Sequence, residues 1–180
     1  RAKGLSKAAK KAIELAVEAN PQDFESHVEL ADALDIAEAT AERRAAAASE
    51  CLRAAELVSE VDPDEAAVQL GRALDLDPTR TDALDALERI LLAADRAPEL
   101  VGRLRDRIRQ VDLGERAALY ERLARLGAEI LDDRALTVEA VEALCSLRPE
   151  DADLRARLAA EYAAAGKNTE LAALKLREIG

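Results

Sequence analysis

Tryptophan and methionine are absent, and phenylalanine and tyrosine together supply three residues of 180. Aromatic plates therefore cannot build the core, and the 49% apolar content falls to alanine and leucine. Only two cysteines occur, Cys51 and Cys145. Two thiols so far apart make neither a disulfide framework nor a thiolate metal site. Each lies in an apolar helical pattern and reads as a small buried hydrophobe. The one histidine, His27, is placed to pair with Asp23 one turn back and reads as a solvent-edge or partly buried side chain. One imidazole and one carboxylate make a poor metal site.

Basic charge is also short. Lys and Arg number 26 against 37 Asp and Glu, a net charge of −11. Such a chain repels nucleic-acid phosphates and anionic lipid, so neither is an expected partner. No run approaches the roughly 18 apolar residues of a membrane span, and no signal peptide is visible. A glycine-rich phosphate loop with its lysine is missing. No Gly-x-Ser-x-Gly elbow surrounds Ser6, Ser26, Ser49, Ser59 or Ser146. No catalytic residue, cofactor or metal ligand is expected. Strand-like alternation is missing too, which leaves an all-α chain. The sequence opens on Arg1 and holds no methionine, as expected of an excised fragment of a larger protein or of a processed chain. The alanine and arginine bias points to a bacterial source, and the cytoplasm is the expected compartment.

What is present centres on 62–92. Asp62 is a helix N-cap, Pro63 takes the first helical position, and Glu65 completes a capping box. Ala66, Ala67, Leu70, Ala73, Leu74 and Leu76 follow a helical period. Asp77-Pro78 stops that helix, and Thr79 is expected to cap the next, which carries Leu84, Leu87, Leu91 and Leu92. A corner this short makes the two helices antiparallel neighbours. A shift of 71 residues repeats the pattern: Asp62 meets Asp133, Leu76 meets Leu147, Pro78 meets Pro149, and Leu87 meets Leu158. That shift is about two units of a ~34-residue helical hairpin.

The remaining chain reads as helices over about 6–19, 22–37, 42–60, 98–110, 113–130, 133–147, 150–165 and 168–179. Thr40 caps a new helix, or one helix runs through 36–41, so the count is ten or nine. The shift fails before residue 42. Residues 1–41 are therefore expected to form an irregular or capping unit, followed by hairpins at 42–78, 79–112, 113–149 and 150–180. Lysines 3, 7, 10 and 11 read as a solvated face. Arg103, Arg105, Arg107 and Arg109, with Asp106, form the strongest local basic feature and also read as solvated. Gly166 suits a left-handed helix end.

Over roughly 42–180 the chain resembles the tetratricopeptide-repeat family. Ala66, Leu70, Ala73, Leu74, Leu76, Asp77 and Pro78 match the second half of that repeat, and Leu158, Ala159, Tyr162 and Gly166 the first. Half-a-TPR and related hairpin solenoids share these features. Leu84 and Arg155 stand where a bulky aromatic is expected, and Thr137 where an alanine is. The resemblance implies a right-handed superhelix of antiparallel hairpins whose concave face holds a peptide segment. Carried over, the inner-face spacing implies contacts from Asp85, Arg89 and Leu92 in one repeat and Glu121 and Arg125 in the next. Ala156, Ala160 and Ala163 would form a smooth floor. The lysine of the family's carboxylate clamp is unmatched, since Asp85 occupies its place. The implied function is a non-catalytic interaction or scaffold module for another protein. A structural spacer or self-associating array, joined through its end helices, is the alternative, and an α-helical enzyme the remote one.

Overall fold

The computed structural model describes residues 7–35 and 39–177. The basic start with Lys3, the helix start at Ser6 and the helix end at Ile179 lie outside them. All regular structure among the described residues is helical: α1 (Lys7–Ala19), α2 (Phe24–Leu34), α3 (Ala41–Val58), α4 (Pro63–Leu76), α5 (Thr81–Ala93), α6 (Ala97–Gln110), α7 (Leu113–Arg125), α8 (Arg134–Leu147), α9 (Ala152–Ala164) and α10 (Asn168–Arg177). A π-turn, Leu126–Ile130, extends α7. The chain forms two compact units, Arg1–Asp95 and Arg96–Gly180. Their boundary falls between the two helices of the expected 79–112 hairpin.

The 71-residue shift reappears in the helix bounds. α4 maps onto α8 and α5 onto α9, residue for residue. Asp62 accepts from the Glu65 amide at 3.0 Å, and Asp133 from the Leu136 amide at 3.0 Å. Both caps satisfy an orphan donor of the first turn. Past the second helix, Asp95 (φ 57°) and Gly166 (φ 68°) hold equivalent left-handed positions. Glycine reaches that region freely, whereas aspartate does so at a cost.

Several junctions differ from the sequence expectation. Helix α2 begins at Phe24 and not near Gln22, because Asp23 is its N-cap and accepts from the Ser26 amide at 3.1 Å. Helix α2 ends at Leu34, and Thr40 caps a separate helix, α3, from Ala41. Thr79 is no cap: its amide and hydroxyl both donate to Asp77 Oδ1, at 3.1 and 2.7 Å, and α5 starts two residues later behind Arg80. The helix expected from Glu150 starts at Ala152, where Asp151 accepts from the Asp153 and Leu154 amides. In both copies the turn after proline consumes two more residues than the proline alone signals.

In the first unit α1 packs on α2, α2 on α3, α3 on α4 and α4 on α5. Ile13 and Val17 of α1 lie against Leu30, Leu34 and Ala47. The inward face of α3 is made of Ala47, Ala48, Cys51, Ala54 and Ala55, all fully or almost fully buried. Leu70, Leu84, Leu87 and Leu91 supply the bulk. In the second unit α6 packs on α7, α7 on α8, α8 on α9 and α9 on α10. Its buried bulk comes from Leu100, Leu104, Leu123, Leu126, Val138, Val141 and Leu144. The order in which helices pack is the same in the two units. α2 precedes α3 as α6 precedes α7, and each is tied two helices onward, by Asp32–Arg72 in one unit and Arg105–Glu139 (2.6 Å) in the other.

Candidate functional site

Each unit carries a groove between equivalent helices, α3 and α5 in the first and α7 and α9 in the second, and the two linings share one equivalent position, Ala86 and Arg157. In the first unit, Leu52, Ala55, Glu56 and Ser59 of α3 face Asp82, Asp85, Ala86, Arg89 and Ile90 of α5 across a floor that includes Leu70. The space encloses about 380 Å³. Helix α4, which carries Leu70, packs on both α3 and α5. Leu52 and Ala86 are half-buried, whereas Asp85 and Arg89 are exposed. Arg80 clasps Asp82 through two bonds, at 2.9 and 2.7 Å, and holds that carboxyl below its usual range.

In the second unit a space of about 430 Å³ lies between Glu121, Arg122, Arg125, Ala128 and Glu129 on α7 and its π-turn and Arg157 on α9. Arg157 stands 71 residues after Ala86, so a guanidinium fills what is a methyl in the first copy. It donates to Glu121 Oε2 at 3.4 Å, and Arg148 approaches Glu121 at 3.8 Å from the end of α8. One groove has an apolar floor, and the other is spanned by the Arg157–Glu121 pair. Of the five residues singled out by inner-face spacing, Asp85 and Arg89 line the first groove, and Glu121 and Arg125 the second. Leu92 is half-buried and lines neither. Ala156, Ala160 and Ala163 are exposed along α9.

The remaining chemically interesting groups are absorbed by the fold. His27 is buried, at 3% exposure, not at a solvent edge. Its partner is Glu50 (Nδ1–Oε2, 2.6 Å), not Asp23, and Nε2 faces the Pro21 carbonyl at 3.1 Å. Burial pushes the Cys51 thiol up to about 11 and raises Cys145 as well. Both thiols are free. The Ser49, Ser59 and Ser146 hydroxyls donate to carbonyls of their own helix. Tyr162 is buried and bonded to Glu142, which pushes its hydroxyl up to about 12. Lys167 closes this cluster, 5.7 Å from the ring centre and 3.6 Å from Glu142. Arg107, expected to be solvated, is 6% exposed. It lies three residues after Leu104, on the face that α6 turns inward. Among the described residues no three metal-ligating side chains converge, and no helix is long and apolar enough to cross a membrane.

No family model matches the chain, and no curated protein matches it. Solved structures of MamA align with it at 17% identity, covering 92% of this chain. The alignment takes in 76% of one MamA chain and 82% of another, with a TM-score of 0.45 in both cases. A likeness of that degree carries no argument about function, and what this chain does has to be read from its own side chains.

Proposed function

We propose that this chain is a non-catalytic protein–protein interaction module that holds a segment of another polypeptide along the α3/α5 face, as its tetratricopeptide-like pattern implies. The observation that carries this reading is the open groove of about 380 Å³, with Leu52, Ala55, Leu70, Ala86 and Ile90 beneath and charged residues at the rim. Concave sites with an apolar floor and a few polar groups around it are where ligands lose water at least cost. Apolar contact supplies affinity there, and Asp85 and Arg89 select partner and register. The non-catalytic part of the reading is supported by where the nucleophile candidates go: Cys51 is buried with a raised thiol, and His27 is enclosed between Glu50 and Pro21.

Ala86→Arg tests this. It places in the first groove the side chain that the second unit carries at Arg157, so the fold has already accommodated it once. A peptide selected against the wild-type chain should lose binding to Ala86→Arg and keep it to Arg157→Ala. Unchanged binding to Ala86→Arg overturns the assignment.

A second reading, a spacer or self-associating array, is favoured by Leu15 on α1 and Leu176 on α10, which are 51% and 71% exposed. It predicts a concentration-dependent mass in light scattering that Leu15→Gln/Leu176→Gln abolishes. A constant monomer mass for the wild type would refute it.

A further inference from the structure

The partner's charge follows from the way acidic residues are distributed. The first unit holds 11 basic and 21 acidic residues, a formal charge of −10, and the second holds 15 and 16, a charge of −1. Nearly all of the chain's net charge therefore belongs to the unit with the open groove. The groove lining has the same sign. Glu56, Asp82 and Asp85 stand against Arg89, whereas the second groove sets Arg122, Arg125 and Arg157 against Glu121 and Glu129. Glu56 is also approached by Arg53 at 3.7 Å, but both side chains are more than half exposed. A pair of that kind is weak and yields readily to a competing cation.

We propose that the α3/α5 groove takes a basic amphipathic segment, one that seats a leucine-sized side chain on the Leu52–Ala86–Ile90 floor and points lysine or arginine at Glu56 and Asp85. This rests on the interaction-module reading and adds the class of partner. The field of a unit at −10 draws such a segment in and repels acidic ones. The two rim carboxylates then fix its register. Arg89 is the single lining cation of this groove among the described residues, and it marks the end where the segment's own charge changes sign or its carboxyl terminus falls.

The test uses the full chain and two fluorescein-labelled helical peptides with identical leucine spacing, one filled out with lysine and the other with glutamate. Fluorescence anisotropy should show the lysine peptide binding at least about tenfold more tightly in low salt, with the preference shrinking as salt screens it. Glu56→Gln/Asp85→Asn should weaken the lysine peptide about five- to tenfold, given two charge pairs removed. Glu18→Gln/Glu29→Gln, the same charge change on α1 and α2, should cost less than about twofold. Arg89→Glu should strengthen the lysine peptide. Ala86→Arg should abolish its binding. Equal affinity for the two peptides, both lost in Ala86→Arg, overturns the basic partner and leaves the groove standing. Equal losses from the rim and remote pairs also overturn it, because the attraction would then belong to the whole unit. If Ala86→Arg binds like wild type, the interaction-module reading of this groove fails with it.

Discussion

Replacing Gly127 by alanine should cost the second unit about 2 kcal/mol, where a helical glycine would ordinarily gain from the change. Gly127 lies buried in the π-turn after α7. A Cβ built on it would come 2.6 Å from Thr137 Oγ1 and 3.0 Å from both the Asp133 carbonyl oxygen and the Thr137 nitrogen. The last two are backbone atoms and cannot rotate away. The Thr137 hydroxyl is pinned as well, because it donates to the Asp133 carbonyl at 3.0 Å and the residue is 1% exposed. Relief requires the first turn of α8 to lift off α7, which strains the Asp133 N–H bond to the Gly127 carbonyl, now 2.8 Å. Overpacking of this kind costs ~1–3 kcal/mol, and the strained hydrogen bond adds up to ~1 kcal/mol. The helix propensity of alanine returns up to ~1 kcal/mol. Urea unfolding followed by circular dichroism at 222 nm reads the balance. Gly102→Ala is the control: this helical glycine is exposed, nothing lies within 4 Å of its Cβ position, and the change should stabilise by ~0.5–1 kcal/mol. Adding Thr137→Ala to Gly127→Ala removes the 2.6 Å contact but not the backbone ones, so the double variant should recover part of the loss, with a coupling of ~1 kcal/mol. If Gly127→Ala stabilises as Gly102→Ala does, or the double-mutant cycle shows no coupling, the close approach of α7 and α8 is not what requires the glycine.

Three further predictions concern other parts of the chain. Asp95 spends backbone energy on its left-handed conformation, so Asp95→Gly should raise stability by ~0.5 kcal/mol and Gly166→Ala should lower it by ~1 kcal/mol, both read as shifts in thermal midpoint; a loss on Asp95→Gly would refute this. Cys51 is fully buried with its thiol at about 11, whereas Cys145 is half-buried, so a thiol reagent at neutral pH should modify Cys145 and spare Cys51 until the chain unfolds, which peptide mass mapping would show or contradict. Because the folded state holds the Cys51 proton more tightly than the unfolded chain does, stability should fall as pH rises from about 9 toward about 11; Cys51→Ala should flatten that fall, and an identical pH profile for the variant would refute the assignment.

The sequence displays what repeats locally and hides what depends on distant contact. Asp62 and Asp133 could be read as caps because the cap, the proline or arginine after it and the apolar stripe all lie within one turn. Thr79 misled because Asp77 competes for its hydroxyl, and the resulting turn displaces the helix start to Thr81. The His27–Glu50 pair spans 23 residues and two helices, which no periodicity reports. Ile130 fits the apolar stripe of α7 but is 54% exposed, because the wide π-turn adds backbone and rotates the stripe out of phase. Thr137 in an alanine's place was a visible irregularity, and its compensation, Gly127 where the first copy has Glu56, was visible too. The contact that couples them was not. For the grooves, spacing located four lining residues, but the exchange at the one lining position they share, Ala86 against Arg157, appears only when α3/α5 and α7/α9 are set side by side.

The small side chains on the inward face of α3 have a thermal consequence. Heat-capacity change on unfolding grows with the hydrocarbon area newly exposed to water. Ala47, Ala48, Cys51, Ala54 and Ala55 expose far less of it than Leu123, Leu126, Val138, Val141 and Leu144 do in the other unit. Per residue, the first unit therefore has the flatter curve of stability against temperature. The helices that frame the groove between α3 and α5 should therefore lose stability less steeply on cooling and on warming than the leucine-rich second unit does.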